Sequence, residues 1–337
     1  MKIWISMSVA LWIAAALPAV AQELRSMRLG AGTVASIEFQ VAGLLGNIIS
    51  NPPGASNCPD RSACGLPGLV VTVLRTGSGL ASIEAIDDGS LDGAVVSADL
   101  LWRAATGRGE FYDRPATSLR HVATLYSETL LVLVRRDSAI KSVADLRGRK
   151  IAIVDPEGSE RAPVRALLAA YKLDEPSVRI EPVALDRALS KLTVGEVAAV
   201  LVRSSDPVAL LARVQSPIPI VALPLEEQVV AELTKAQPYF VATRLPGRTE
   251  PGRTEPGRTE SGGLAVSIPV QWVVSADLDD AMVRASLSAL LHGQNRPALM
   301  SGHPAVAQIS RLHALVGAVL PIHPGAASYY NSVEPAR

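Results

Sequence analysis

Four short polar turns carry most of the side chains that could do chemistry. They are Gly30 to Ser36, Thr76 to Gly79, Ser97 to Asp99, and Pro156 to Arg161. Each follows a strand-like apolar run and precedes a helical one. In open parallel sheets ligands collect at the carboxyl ends of strands. The helix N-termini there offer unpaired N–H groups and a positive dipole end, which suits a carboxylate or phosphate. Each turn also holds a hydroxyl residue, which can either touch a ligand or simply cap its helix.

Catalytic signatures are not matched. Glu157-Gly-Ser-Glu departs from the Gly-x-Ser-x-Gly elbow of hydrolases. Gly30-Ala-Gly-Thr-Val-Ala lacks the third glycine of a dinucleotide fingerprint, and no P-loop occurs. His303, His313 and His323 stand ten apart, which fits no metal motif, so each reads as a structural or surface histidine. The expectation is a binding protein, not an enzyme, with no cofactor and no metal. The chain carries 32 basic and 32 acidic residues and only three Phe. A near-neutral, aromatic-poor chain does not suit a nucleic-acid partner.

The elements that must position these turns alternate between strand and helix. Met27 to Leu29, Leu69 to Leu74, Gly93 to Val96, Leu130 to Asp137, Ile151 to Val154, Gly195 to Val202 and Val270 to Ser275 read as strands. Ser36 to Ile49 places Ile37, Val41, Leu44, Leu45 and Ile48 at helical spacing. Helices are also expected after Thr76-Gly77-Ser78-Gly79, from Ser97, from Pro156 to about Tyr171, over Leu278 to Leu291, and around Ile309 to Val316. Strand–turn–helix units in series predict an α/β fold with largely parallel sheets.

The N-terminus reads as a secretory signal. Lys2 precedes an uncharged apolar run, and Ala19-Val20-Ala21 places small residues at −3 and −1 from Gln22. Cleavage of 21 from 337 residues leaves 316, more than one core usually serves, so two lobes are expected. Export makes a Cys58–Cys64 disulfide the expected state of the two cysteines. Pro-Gly-Arg-Thr-Glu repeats three times over residues 246–260, and a proline and a glycine in every copy mark an exposed loop insertion.

The ordered segments resemble those of the TAXI class of periplasmic solute receptors serving TRAP transporters. They are Leu29-Gly-Ala-Gly-Thr, Val73-Leu-Arg-Thr-Gly-Ser, Ser90-Leu-Asp-Gly-Ala-Val-Val-Ser-Ala-Asp, Leu125-Tyr-Ser-Glu-Thr-Leu-Leu-Val-Leu-Val-Arg-Arg-Asp and Pro321-Ile-His-Pro-Gly-Ala. The resemblance implies a two-lobed type II periplasmic binding protein-like α/β fold with a cleft between the lobes. Lobe 1 would take residues 22–128 plus 245–337, and lobe 2 residues 129–244. It implies capture of a small organic acid or amino acid and delivery to a membrane TRAP permease. A periplasmic sensor that docks on a membrane signalling receptor is the alternative.

By the same resemblance the first-lobe ligand residues would be Gly32, Thr33, Thr76, Gly77, Ser78, Ser97 and Asp99. Tyr126 would stand near the hinge, and Gly158, Ser159 and the turn after Leu201 would face them. Arg161 or Arg203 could hold a carboxylate in a two-pronged grip. Glu160 could meet an amino group, or Glu160 and Arg161 could be solvated residues of a first helical turn.

Overall fold

The computed structural model describes residues 24–55, 60–155, 161–174, 176–214, 219–247 and 262–332. Residues 1–21, Cys58, Gly158, Ser159 and all of the repeat beyond Gly247 lie outside them.

The first half alternates β1 (Arg25–Ala31), α1 (Ile37–Ile49), β2 (Leu69–Arg75), α2 (Gly79–Asp87), β3 (Gly93–Ser97) and α3 (Ala98–Ala105). Local chemistry starts these helices where the sequence suggests. Ser36 accepts from Phe39 N at the head of α1, and Ser78 accepts from Ala81 N at the head of α2. The β-branched run Leu69-Val-Val-Thr-Val-Leu-Arg pairs in parallel with β1 along its whole length, and β1 pairs in parallel with β3 on its other edge.

A long strand, β4 (Leu119–Arg135), then leads into a second half. There β5 (Lys150–Val154), α4 (Arg161–Ala170), β6 (Arg179–Val183), α5 (Leu185–Thr193) and β7 (Ala199–Ser204) repeat the arrangement, with β5 parallel to both β6 and β7. The short elements α6 (Pro207–Arg213), β8 (Ile220–Ala222), α7 (Glu227–Ala236) and β9 (Val241–Arg244) follow. A second long strand, β10 (Leu264–Ser275), returns the chain to the first half. There α8 (Asp280–Leu291), α9 (Arg296–Met300) and α10 (Pro324–Ser332) finish it.

The strands form one sheet in the order β2-β1-β3-β10-β4-β7-β5-β6, with β8 on β4 and β9 on β10. β4 and β10 run antiparallel side by side and belong to both halves. Toward one end β10 also pairs with β3 from Val270 onward. Toward the other it pairs with β9 up to Ser267. The apolar clusters divide at the same place. Val270, Trp272 and Val274 pack with β1, α1 and α8, whereas Val266 and Ile268 pack with β5, α4 and α7.

Two differences from the sequence reading have clear causes. The expected strand at Leu130 begins eleven residues earlier, at Leu119, because that stretch finds its partner in β10, far away in sequence. The expected helix around Ile309 to Val316 is instead a series of turns. Its carbonyls are taken by the sheet. Ala314 O accepts from Thr124 N, and Val316 O accepts from Thr124 Oγ1, at 2.7 and 2.8 Å. Gln271 Nε2 donates to Gly317 O at 2.6 Å. Tertiary hydrogen bonds therefore replace the helical ladder that the apolar spacing suggested.

Gly93 sets how closely β3 can approach β10. A Cβ at this position would lie 2.7 Å from Val273 O. Gly93→Ala should therefore push the two strands apart and cost about 1–3 kcal/mol. Urea unfolding of the two forms checks this, through a lower midpoint at unchanged slope.

Candidate functional site

The polar residues that the fold brings together lie where the two long strands pass between the halves. Asp99 sits in the first turn of α3, where a negative charge meets the positive end of the helix. Ser97, just before α3, donates to Asp99 Oδ1 at 2.5 Å. Arg203, near the end of β7 in the other half, reaches across. Its Nη1 donates to Ser97 Oγ at 2.8 Å and to Asp99 Oδ1 at 3.4 Å, and its Nε lies 3.5 Å from Glu128 Oε2. Arg103, one turn along α3, bonds Asp99 Oδ2 at 3.4 Å and also pairs with Glu110.

These groups are removed from water. Asp99 is 2% exposed and Glu128 is 7% exposed. Such a buried set persists only because its members satisfy one another. Burial pushes the Glu128 carboxyl up to about 7, with further upward pressure from Glu38 and Asp99, against the downward pull of Arg203. Tyr126, fully buried beside it on β4, has its phenol pushed up by burial and by the charges of Glu38 and Glu128. Its Oη finds no hydrogen-bond partner among the described residues. Tyr239, from the second half, packs at a tilt of 59° against Trp102 of α3, with 5.5 Å between ring centroids. Burial raises its phenol, with the charge of Asp99 adding to the shift.

The crossing itself is narrow. Ser127 and Glu128 of β4 pair only with β10, since β7 joins at Thr129. Pro269, opposite Ser127, falls in the gap between the β9 and β3 partners of β10. A residue without an N–H is tolerated there because no second strand needs it. The side chain of Gln308 fills in for a strand. Its Oε1 accepts from Ser127 N at 2.9 Å, and its Nε2 donates to Ser127 O and to Ser205 O of the second half at 3.3 and 3.4 Å.

The structure places the residues singled out from the sequence in three groups. Ser97, Asp99, Tyr126 and Arg203 stand together at the crossing. Gly32, Thr33, Thr76, Gly77 and Ser78 form the adjoining ends of β1 and β2. There Gly77 N donates to Gly32 O, and Thr76 Oγ1 donates to Ala31 O at 2.9 Å and lies 2.7 Å from Ser82 Oγ. Ser78 caps α2, so both hydroxyls are engaged within the first half. Gly77 has a φ of +84°, a conformation that favours glycine. Arg161 is exposed at the start of α4 and lines a separate recess of about 260 Å³ with Arg165 and Arg179. The histidines have structural roles. His303 accepts from Ala305 N, His323 accepts from Gly325 N, and His313 lies 3.2 Å from Ser127 Oγ.

Sequence reasoning missed Glu128, Glu38, Arg103 and Tyr239. Glu128 left a visible signal, as the one acidic residue in the seventeen of β4. Arg103 left one too, standing four residues after Asp99 on the same helix, whereas Tyr239 left none, because its contact with Trp102 spans elements remote in sequence.

The chain matches the NMT1-like family over residues 29–333. It belongs to that family. The type II binding protein-like architecture expected from the sequence is the one observed, with α/β halves on either side of two shared strands. Among solved structures, the periplasmic aliphatic sulphonate binding protein SsuA from Escherichia coli is 18% identical. The match covers 91% of this chain and 78% of that one, with a TM-score of 0.46. The alkanesulfonate-binding protein SsuA from Xanthomonas axonopodis pv. citri bound to MOPS is also 18% identical, covering 87% and 86%, with a TM-score of 0.42. Likeness at this level carries no ligand across to this chain. No helix among the described residues is long and apolar enough to cross a membrane.

The position of Glu128 has a consequence for pH. Its folded-state value of about 7 lies above the ordinary 4.5, so the folded chain holds a proton that the unfolded chain releases. The contribution of this group to stability is full below about 4.5, falls as pH rises toward 7, and is level above that. Buried His121 and His313, held low by desolvation, act in the opposite sense and lose stability as pH falls. Subtracting the melting profile of Glu128→Gln from that of the parent between pH 4.5 and 8 isolates the carboxyl. The difference, parent minus variant, should fall steadily from pH 4.5 to pH 7 and then level off.

Proposed function

We propose that this chain is an extracytoplasmic solute receptor. It holds a small organic acid or amino acid between its two halves and delivers it to a TRAP-type membrane permease. The observation that carries this reading is Arg203, which reaches from β7 in one half to Ser97 and Asp99 in the other. Buried polar groups from two halves meeting over a narrow two-strand crossing suit a protein that closes on something small. A chain with no use for separation would more simply fill such a junction with apolar residues.

Several further features support the reading. The N-terminal segment has the grammar of an export signal. The segments that resemble the TAXI class include Leu125 to Asp137, the strand that carries Tyr126 and Glu128. The two halves would divide at Glu128 in β4 and at Pro269 in β10, where only two strands connect them. This division places β9 and the first part of β10 in the second lobe. A binding role, not catalysis, fits the way the charged groups are spent on one another. The Ser97 hydroxyl donates to Asp99 and accepts from Arg203, so both its proton and its lone pair are engaged in the contact between the halves.

Thermal unfolding of the exported protein against a library of organic acids and amino acids tests the receptor reading. A solute that binds only the folded state adds about 2.7 kcal/mol at a hundredfold excess over its Kd. The expected result is a raised Tm for a narrow group of solutes. A monodisperse sample that responds to none of them overturns the reading. The same exported protein, weighed intact without reductant, should begin at Gln22. It should also be lighter by two hydrogens than the reduced form, from a Cys58–Cys64 bridge.

A further inference from the structure

The cleft residues carry an excess of negative charge. Asp99 and Glu128 meet at the crossing through Arg203, and the charge of Glu38, on α1, is felt at both Tyr126 and Glu128. Against these three carboxylates stands Arg203. Arg103 adds a second guanidinium, but Glu110 takes one of its arms. If the polar groups were arranged for a simple anion, the cations would outnumber the acids.

The one strong cation on the far side is also occupied. Arg203 already holds Ser97, Asp99 and Glu128. An incoming carboxylate or sulfonate would have to displace a protein carboxylate from it. That would strand the displaced charge in a buried place, which is strongly unfavourable. The acceptors, by contrast, are under-used. Glu128 Oε2 lies 3.5 Å from Arg203 Nε, longer than a charge-assisted hydrogen bond of about 2.7–2.9 Å. Tyr126 Oη, fully buried among the fields of Glu38, Glu128 and Arg203, has no hydrogen-bond partner among the described residues. A group with several N–H donors and a positive charge supplies what both atoms lack. The face of the Tyr126 ring would add to its hold on such a cation.

We infer that the cleft selects a solute bearing a protonated nitrogen, which Glu128 and the Tyr126 hydroxyl receive, with the charge of Glu38 adding to the field. This rests on the receptor reading above and narrows it, within the amino acids and related amines, away from plain organic acids. In an amino-acid solute the ammonium sits at these acceptors, and the carboxylate takes whatever share of Arg203 remains.

Four five-carbon probes separate the head-group charge from size. They are cadaverine with two ammonium groups, 5-aminopentanoate with one, glutarate with none, and pentane-1-sulfonate with none. Thermal shift and titration calorimetry on the full exported chain should give binding with cadaverine or 5-aminopentanoate and none with the two anions. Glu128→Gln should weaken the amine at least tenfold. Because a buried change can disturb folding, Glu38→Gln, at a partly exposed position on α1, serves as the second variant. It should weaken the amine in the same direction. Binding of glutarate or pentane-1-sulfonate without the amines overturns the charge inference and leaves the receptor reading standing. Unchanged amine affinity in both variants also overturns it. Silence from all four probes overturns it too, and the wider library then decides separately whether the chain is a receptor.

Discussion

The antiparallel pairing of β4 with β10 is the constraint on which the rest of the fold depends. Each half contributes a short parallel set, β2-β1-β3 or β6-β5-β7. Neither set alone gives the last strand a second partner. The long strands do this for both. β3 closes on β10 in one half, and β7 closes on β4 in the other. Between the two closures lie only Ser127, Glu128, Ile268 and Pro269, paired with each other. Backbone hydrogen bonds that a wider sheet would supply are missing there. Gln308 makes up for them from a segment that folds back after α9.

The same narrowing explains why charge collects at this point. Elsewhere the strands bury Val, Leu and Ile against the helices of the two halves. At the crossing the polar side chains come from both halves, Ser97 and Asp99 from the start of α3 and Arg203 from the end of β7. Burying the four charged groups Asp99, Arg103, Glu128 and Arg203 is costly unless each finds a partner. Their arrangement meets that condition for Asp99, Arg103 and Arg203. Glu128 is left with a long contact, and its carboxyl is driven up to about 7. Tyr126 is left with none.

The legibility of all this in the sequence followed the range of the interactions. Helix starts governed by a neighbouring hydroxyl, such as Ser36 and Ser78, were readable because the capping bond spans three residues. Parallel strands such as β2 and β5 were readable from their apolar runs. The first eleven residues of β4 were not, because nothing local distinguishes them until β10 is placed beside them. The turns after Ile309 carried a helix-like spacing and lost the helix to Thr124 and Gln271. At the site, Ser97 and Asp99 were found through a strand–helix turn, and Tyr126 and Arg203 through the family resemblance. Glu128 was overlooked because turn chemistry directs attention to the ends of strands, and this residue is in the middle of one.

The ion pairs across the crossing also shape how tightly any solute is held. Arg203 binds Asp99 and Ser97 directly, so the halves have a contact of their own. A solute that keeps those contacts adds its binding energy to them and closes a cleft already inclined to close. A solute that breaks them must first offset their loss, and its apparent affinity falls by the fraction of molecules that are open and competent. A protonated amine seated at Glu128 and Tyr126 leaves the Arg203–Asp99–Ser97 bridge intact. It also neutralises the carboxylate that burial disfavours most. The contact that holds the halves together and the site that receives the solute then stabilise the same closed arrangement, and neither competes with the other.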